Sequence, residues 1–182
     1  MPVKPVIFVH GIQGSWLKNE YPVDYNDEIL WTGILKKKFE QLHLHDLDPS
    51  VDSQVRSLIR PHQAVPLIYE DIIEEIRDEM EDDGHQPYAY VFTYDWRKDN
   101  RIAARDLAAF IDEVLNIASV HEQKDGRESP DQVVLIGHSM GGLVIKWCAT
   151  QILDPNKVAK IITIATPYKG SVKGIEALLP GA

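Results

Sequence analysis

The sequence predicts an α/β fold built on a mostly parallel sheet with flanking helices. Short apolar runs alternate with longer stretches of helical periodicity along the chain. The runs Val133-Val134-Leu135-Ile136 and Ile161-Ile162-Thr163-Ile164 lack the polar alternation of a half-exposed strand, as strands covered on both faces should. Strands separated by helical crossovers pair in parallel through right-handed connections.

The elements follow in order. Val6-Ile7-Phe8-Val9 is a short buried strand ended by His10-Gly11. Ile29 to Leu42 reads as a helix, because Trp31, Ile34, Leu35, Phe39 and Leu42 fall on one face. Residues 43–66 carry Pro49, Pro61 and Pro66 and little periodicity beyond Val55 to Ile59. They read as a long loop or a small lid, and residues from about 15 to 66 as a lid or cap region. An acidic helix over about 68–82 places Ile68, Ile72, Ile73, Ile76 and Met80 at helical spacing beside a run of carboxylates. That charge reads as a solvated face. Gly84 and Pro87 precede a second strand, Tyr90-Val91-Phe92-Thr93-Tyr94. Ile102 to Ala118 is an amphipathic helix through Leu107, Phe110, Ile111, Val114 and Leu115. A polar turn from Gln123 to Asp131 leads into the third strand, Val133 to Ile136. Residues 142–153 form the next helix, and Val158 to Ala165 a fourth strand ended by Thr166-Pro167.

Composition bounds the function. A chain of 182 residues, 44% hydrophobic, can bury one sizeable core. A net charge of −9 argues against a nucleic-acid partner. Cys148 is the only cysteine, so no internal disulfide can form. That fits a reducing compartment, and a cytoplasmic location is expected. Val6 to Val9 is too short for a signal-peptide core or a transmembrane segment.

The chemistry concentrates where the strands end. His10-Gly11, Asp95-Trp96-Arg97, Ser139 and Thr166-Pro167 all fall at carboxyl ends, the side on which parallel sheets bind ligands. Gly137-His138-Ser139-Met140-Gly141 reads G-x-S-x-G between an apolar strand and a helix. This is the pattern of a nucleophile elbow, a strained turn that exposes a serine hydroxyl. His10-Gly11-Ile12-Gln13-Gly14 follows the first strand. Acyl transfer passes through a tetrahedral oxyanion, which two fixed backbone N–H donors stabilise. Met140, after the serine, is read as one donor and Ile12 as the other. His10 sits in the donor loop and reads as a structural hydrogen-bonder. His138, one residue before Ser139 on the strand, should point away from it.

Along the chain such triads run serine, acid, histidine. All seven histidines here precede Ser139: His10, His43, His45, His62, His85, His121 and His138. The expectation is that residues 1–182 lack the triad acid and histidine. Glu176, the one carboxylate after the fourth strand, is a weak candidate acid. His43-x-His45-Asp46-x-Asp48 has no third histidine at ligand spacing and reads as solvated loop, so no metal or cofactor is expected. Asp95 and Arg97 are expected to pair with each other or with backbone and fix their loop over Trp96, rather than to contact substrate.

The stretch from His10 to Leu17, Trp31, Tyr94-Asp95-Trp96-Arg97 and Gly137 to Gly142 together resemble the lecithin:cholesterol acyltransferase family of α/β hydrolases. Ala165-Thr166-Pro167-Tyr168-Lys169-Gly170-Ser171 is similar to that family's Gly-Thr-Pro-His-x-Gly-Ser stretch, departing at Ala165 and Tyr168. The resemblance spans nearly all of the chain but only the N-terminal half of a family member. It implies Ser139 as acyl-accepting nucleophile, Ile12 and Met140 as oxyanion donors, and lipid esters as substrates. The expected fold is therefore an α/β-hydrolase fold in truncated form, a single incomplete domain over 1–182, with strands ordered 2-1-3-4 in space. The expected activity is lipase, esterase or O-acyltransferase chemistry through a Ser139 acyl-enzyme. The competing expectation is a non-catalytic lipid- or ester-binding module. The fourth strand would leave an exposed apolar sheet edge through which the chain self-associates.

Overall fold

The computed structural model describes residues 2–20, 28–31, 42–45, 47–52, 58–82 and 86–171. In chain order these form β1 (Val6–Val9), β2 (Ser15–Glu20), β3 (Glu28–Trp31), β4 (Leu44–His45), β5 (Asp48–Asp52), β6 (Leu58–Ala64), α1 (Pro66–Asp82), β7 (Ala89–Phe92), α2 (Asn100–Lys124), β8 (Val133–His138), α3 (Met140–Gln151) and β9 (Val158–Ile164).

The main sheet has four strands in the order β7-β1-β8-β9, every pair parallel. This is the spatial order 2-1-3-4 expected from the sequence. Side chains alternate between its two faces. Ile7, Val9, Val133 and Leu135 pack with Leu107, Ile111 and Val114 of α2 and with Val144 and Ile145 of α3. Phe8, Val91 and Ile136 meet Tyr69 and Ile73 of α1 on the other face. The Ile161–Ile164 run, expected to be covered likewise, is instead half-exposed at the sheet edge; the β1 and β8 runs are continuous because both faces are covered. Each such side chain taken fully out of water contributes roughly 1.5–3 kcal/mol, so this two-sided core fixes where the strand ends lie.

The helices begin and end for local reasons. Pro66 opens α1, where its missing N–H removes no intrahelical bond. The Asp99 carboxylate caps α2 by accepting from the Arg101 amide at 2.8 Å. The sequence places the end of α2 at Ala118, yet the helix runs to Lys124. Its last turn buries Glu122, a charged residue that breaks the apolar stripe. Glu122 is held by the Tyr88 hydroxyl at 3.0 Å and by Arg127 Nε at 2.7 Å. The end is a Schellman motif: Gly126, at φ 72, donates to Gln123 O, and the Arg127 amide to Glu122 O.

Two expectations between residues 15 and 66 are corrected. Ile29-Leu30-Trp31 opens no helix but lies in β3, antiparallel to β2 with Leu17 opposite Trp31. Leu17, Leu30, Trp31, Leu42 and Ile59 form a second small core, and this pairing overrides the helical spacing of the apolar residues. Residues 32–41, the rest of that predicted helix, lie outside the described residues. The expected loop 43–66 contains β6, which extends β2 into a sheet ordered β3-β2-β6, and the hairpin β4-β5. Pro61 is tolerated because β6 is an edge strand in that sheet. Among the described residues no helix is long and apolar enough to cross a membrane.

Candidate active site

β8 delivers its last residue, His138, to the carboxyl edge of the sheet, and α3 begins at Met140. Ser139 lies between them at φ 51 and ψ −122. That is positive-φ backbone which L side chains rarely adopt, at a cost of roughly 1–3 kcal/mol. The surroundings hold it there. The Ser139 amide extends the sheet by donating to Ile164 O at 2.8 Å. α3 lies so close to β1 that a Cβ at Gly141 would stand 2.2 Å from Val9 O. A side chain there would push the helix off the sheet and open the turn.

The loop after β1 folds onto this turn. A Cβ on Gly11 would lie 2.9 Å from Ser139 Cβ, so the loop and the elbow are in direct contact. The Gly14 amide donates to Gly11 O at 3.1 Å. This closes a tight turn with Ile12 and Gln13 at its centre, Gln13 at φ 60. Ile12 is 58% exposed. Met140, as the first residue of α3, presents an amide with no acceptor within its own helix.

His10 is the post around which that loop turns. It is fully buried and stacks on Tyr94, with ring centroids 4.3 Å apart. Its Nδ1 lies 2.8 Å from Gly11 O, and its Nε2 accepts from the Tyr94 amide at 3.3 Å. Because a carbonyl can only accept and an amide can only donate, the proton sits on Nδ1. Burial pushes this imidazole down to about 4, against the opposing pull of its bond to Gly11. The Tyr94 hydroxyl donates to His10 O at 2.9 Å. Both ring nitrogens are thus committed to backbone, as a structural histidine requires.

Tyr69 belongs to neither glycine motif. It is 5% exposed, on α1, the helix read for its acidic face. The Gly11 amide donates to its hydroxyl at 3.1 Å, and the same hydroxyl is hydrogen-bonded to His138 Nδ1 at 3.1 Å. His138 therefore faces α1. The sequence signal was present: Tyr69 and Ile73 are four residues apart and share the buried stripe, whereas Ile68 is 58% exposed.

The remaining candidates fall outside this cluster. Asp95 and Arg97 form a bidentate pair at 2.8 and 2.6 Å, both side chains buried, and Arg97 Nη1 also donates to Leu42 O. Trp96 Nε1 donates to Ser15 O, and Ser15 Oγ to Tyr94 O. The Tyr-Asp-Trp-Arg element thus fastens the β3-β2-β6 sheet to the end of β7. His45 Nδ1 accepts from the Leu47 amide, and Asp48 from Ser50, so both close local turns; Asp46 lies outside the described residues. Among the described residues no three His, Cys, Asp or Glu side chains gather as metal ligands. Glu176 also lies outside them. Cys148 is buried, and burial pushes its thiol up to about 11.

This arrangement of strands and loops has counterparts among known proteins. The chain is similar to Bacillus licheniformis lipase BlEst2 in its mature form, with a TM-score of 0.51 and 19% identity, over 100% of this chain and 49% of that one. It is similar to a chain of the Tle4–Tli4 complex, with a TM-score of 0.51 and 18% identity, over 93% of this chain and 47% of that one. At that identity the likeness shows the fold, an α/β-hydrolase fold. The chain spans about half the length of these two solved chains. No curated protein sequence matches it significantly. The family model described as lecithin:cholesterol acyltransferase matches residues 64–182, which include Tyr-Asp-Trp-Arg, the serine turn and the stretch after β9. The chain belongs to the lecithin:cholesterol acyltransferase family.

Proposed function

We propose that this chain carries the nucleophile and oxyanion donors of a site that transfers acyl groups from lipid or other carboxylic esters. The observation that carries the reading is the geometry of Ser139. Its strained backbone at the β8–α3 junction lies in contact with the Gly11 loop. In this reading the Ser139 hydroxyl attacks an ester carbonyl and forms an acyl-enzyme, with the alcohol as leaving group. The Ile12 and Met140 amides donate to the oxyanion of the tetrahedral intermediate. Water or an alcohol then takes the acyl group, giving a lipase or esterase in the first case and an O-acyltransferase in the second. In this reading the β3-β2-β6 sheet, fastened to the end of β7 through Ser15 and Trp96, serves as part of a lid or cap.

In this reading neither His10 nor His138 is the base for this step. His10 has both nitrogens engaged, and His138 is bonded through Nδ1 to Tyr69. Among the described residues no imidazole nitrogen is hydrogen-bonded to the Ser139 hydroxyl. That same observation favours a second reading, a lipid- or ester-binding module that performs no turnover.

Labelling with a fluorophosphonate probe separates the two. Serine without its base keeps only the contribution of the oxyanion donors, some orders of magnitude below a full triad. The 182-residue chain should label slowly at Ser139, and Ser139→Ala should not label. Supplying a downstream acid and histidine should raise the rate by orders of magnitude. If wild type and Ser139→Ala behave identically, the acyl-transfer reading fails and the binding module stands. Rapid labelling of the 182-residue chain would mean that an upstream histidine serves as base.

A further inference from the structure

We propose that Tyr69 is a positioning residue of this site, its hydroxyl tying the donor loop at Gly11 to the serine turn at His138. The inference rests on the acyl-transfer reading and adds to it a residue on α1, an element outside both glycine motifs.

Two oxyanion donors must converge on one point. Ile12 and Met140 lie on separate elements, a turn after β1 and the start of α3. For both amides to serve one oxyanion, the turn must hold its register against the elbow to a few tenths of an ångström. Displacement by about 1 Å can cost a hundredfold in rate. Sheet pairing fixes Val9 against Gly137, but ladder bonding stops there. Beyond it, the Gly11 amide donates to Tyr69 Oη at 3.1 Å instead of to a strand. The next bond, Tyr69 Oη to His138 Nδ1 at 3.1 Å, reaches the residue directly before Ser139. One hydroxyl thus bridges the residue before Ile12 and the residue before Ser139.

The Gly11 N–H can only donate, so Tyr69 Oη accepts there, and the same oxygen makes its second hydrogen bond to His138 Nδ1. Tyr69 is well placed to hold both contacts. Its ring packs on Phe8 at 5.2 Å and edge-on to His138 at 5.9 Å, inside the cluster with Ile73. The phenol cannot swing away without opening that face of the sheet.

Tyr69→Phe removes the hydroxyl and keeps the ring. Amide hydrogen exchange would be measured at Gly11, Ile12 and Met140, with Phe8 and Ile136 as controls for folding. The proposal expects Gly11 protection to fall at least tenfold while the controls hold. It expects the limiting rate of fluorophosphonate labelling at Ser139 to fall about ten- to a hundredfold, with the probe's half-saturating concentration unchanged. His138→Asn, whose side-chain oxygen can accept from Tyr69, should recover much of what His138→Leu loses. Unchanged Gly11 protection and an unchanged labelling rate in Tyr69→Phe would overturn the proposal. Wild-type labelling that does not depend on Ser139 would instead overturn the acyl-transfer reading, and Gly11 exchange would still decide whether Tyr69 holds the loop.

Discussion

Ala165 follows β9 with φ 51, in the left-handed region, where the resembling family stretch carries glycine. An L side chain there costs roughly 1–2 kcal/mol, and glycine returns part of that gain through a freer unfolded chain. Ala165→Gly should therefore stabilise the protein by about 0.5–1 kcal/mol, read as a higher urea midpoint at unchanged slope; a lower midpoint would contradict the strain. His10 gives a prediction of opposite character. Burial holds its folded value near 4 against an ordinary 6.5, so between those values the unfolded chain binds the extra proton. Stability must then rise with pH across that window and be lost as pH falls from 6.5 towards 4, by about 3 kcal/mol in all from this one group. Denaturation profiles from pH 4 to 7 should show that slope, and His10→Asn should flatten it. Equal slopes in the two proteins would mean that His10 is protonated in the folded state.

At the scale of elements, legibility in the sequence tracks how each element earns its stability. β1 and β8 were readable because strands buried on both faces leave uninterrupted apolar runs; β9 carries a similar run although it lies half-exposed at the sheet edge. α1 was readable as a helix, and its buried stripe is recorded in the Tyr69–Ile73 spacing, although an apolar pattern alone misplaces it. Ile68 looks like core and is exposed, while Tyr69 is core and carries a polar tip. The end of α2 was missed because a buried carboxylate, Glu122, is invisible to a hydrophobic pattern when its partners Tyr88 and Arg127 lie elsewhere in the chain. β3 and β6 were missed for a similar reason. Their stability comes from pairing with β2 and from Trp96, long-range contacts that no local window contains. In the site, the serine turn and the Gly11 loop were legible as turns because glycine spacing records steric demands directly. The Tyr69 bridge joins residues 58 positions apart in sequence, and only the fold brings them together.

Among the described residues the main sheet has two unequal edges. On the β7 side, Arg77 of α1 reaches over and donates to Ala89 O at 3.1 Å, so a strand carbonyl is already occupied. On the β9 side, Ile161 and Ile164 are 43% and 41% exposed. A cleft of about 370 Å³ runs there between Leu153, Pro155 and Ile161. Unpaired strand edges with exposed apolar side chains template pairing with another chain, and a charged residue on the edge opposes it. β9 carries one, Lys160, immediately before Ile161. We expect that single charge to be too little, and the 182-residue chain to self-associate through β9. Light scattering should give a mass that grows with concentration, while Ile161→Lys, a change at a half-exposed position, should return the protein to a monomer without lowering its thermal midpoint by more than a few degrees. The equivalent charge placed on the β7 side, Val91→Lys, would strike the core with Phe8 and Ile73 and is not a fair control; Tyr168→Lys, exposed beyond the strand, is. Association that persists in Ile161→Lys, or a wild-type chain that stays monomeric at high concentration, would mean that the β9 edge is not the surface through which this protein meets another strand.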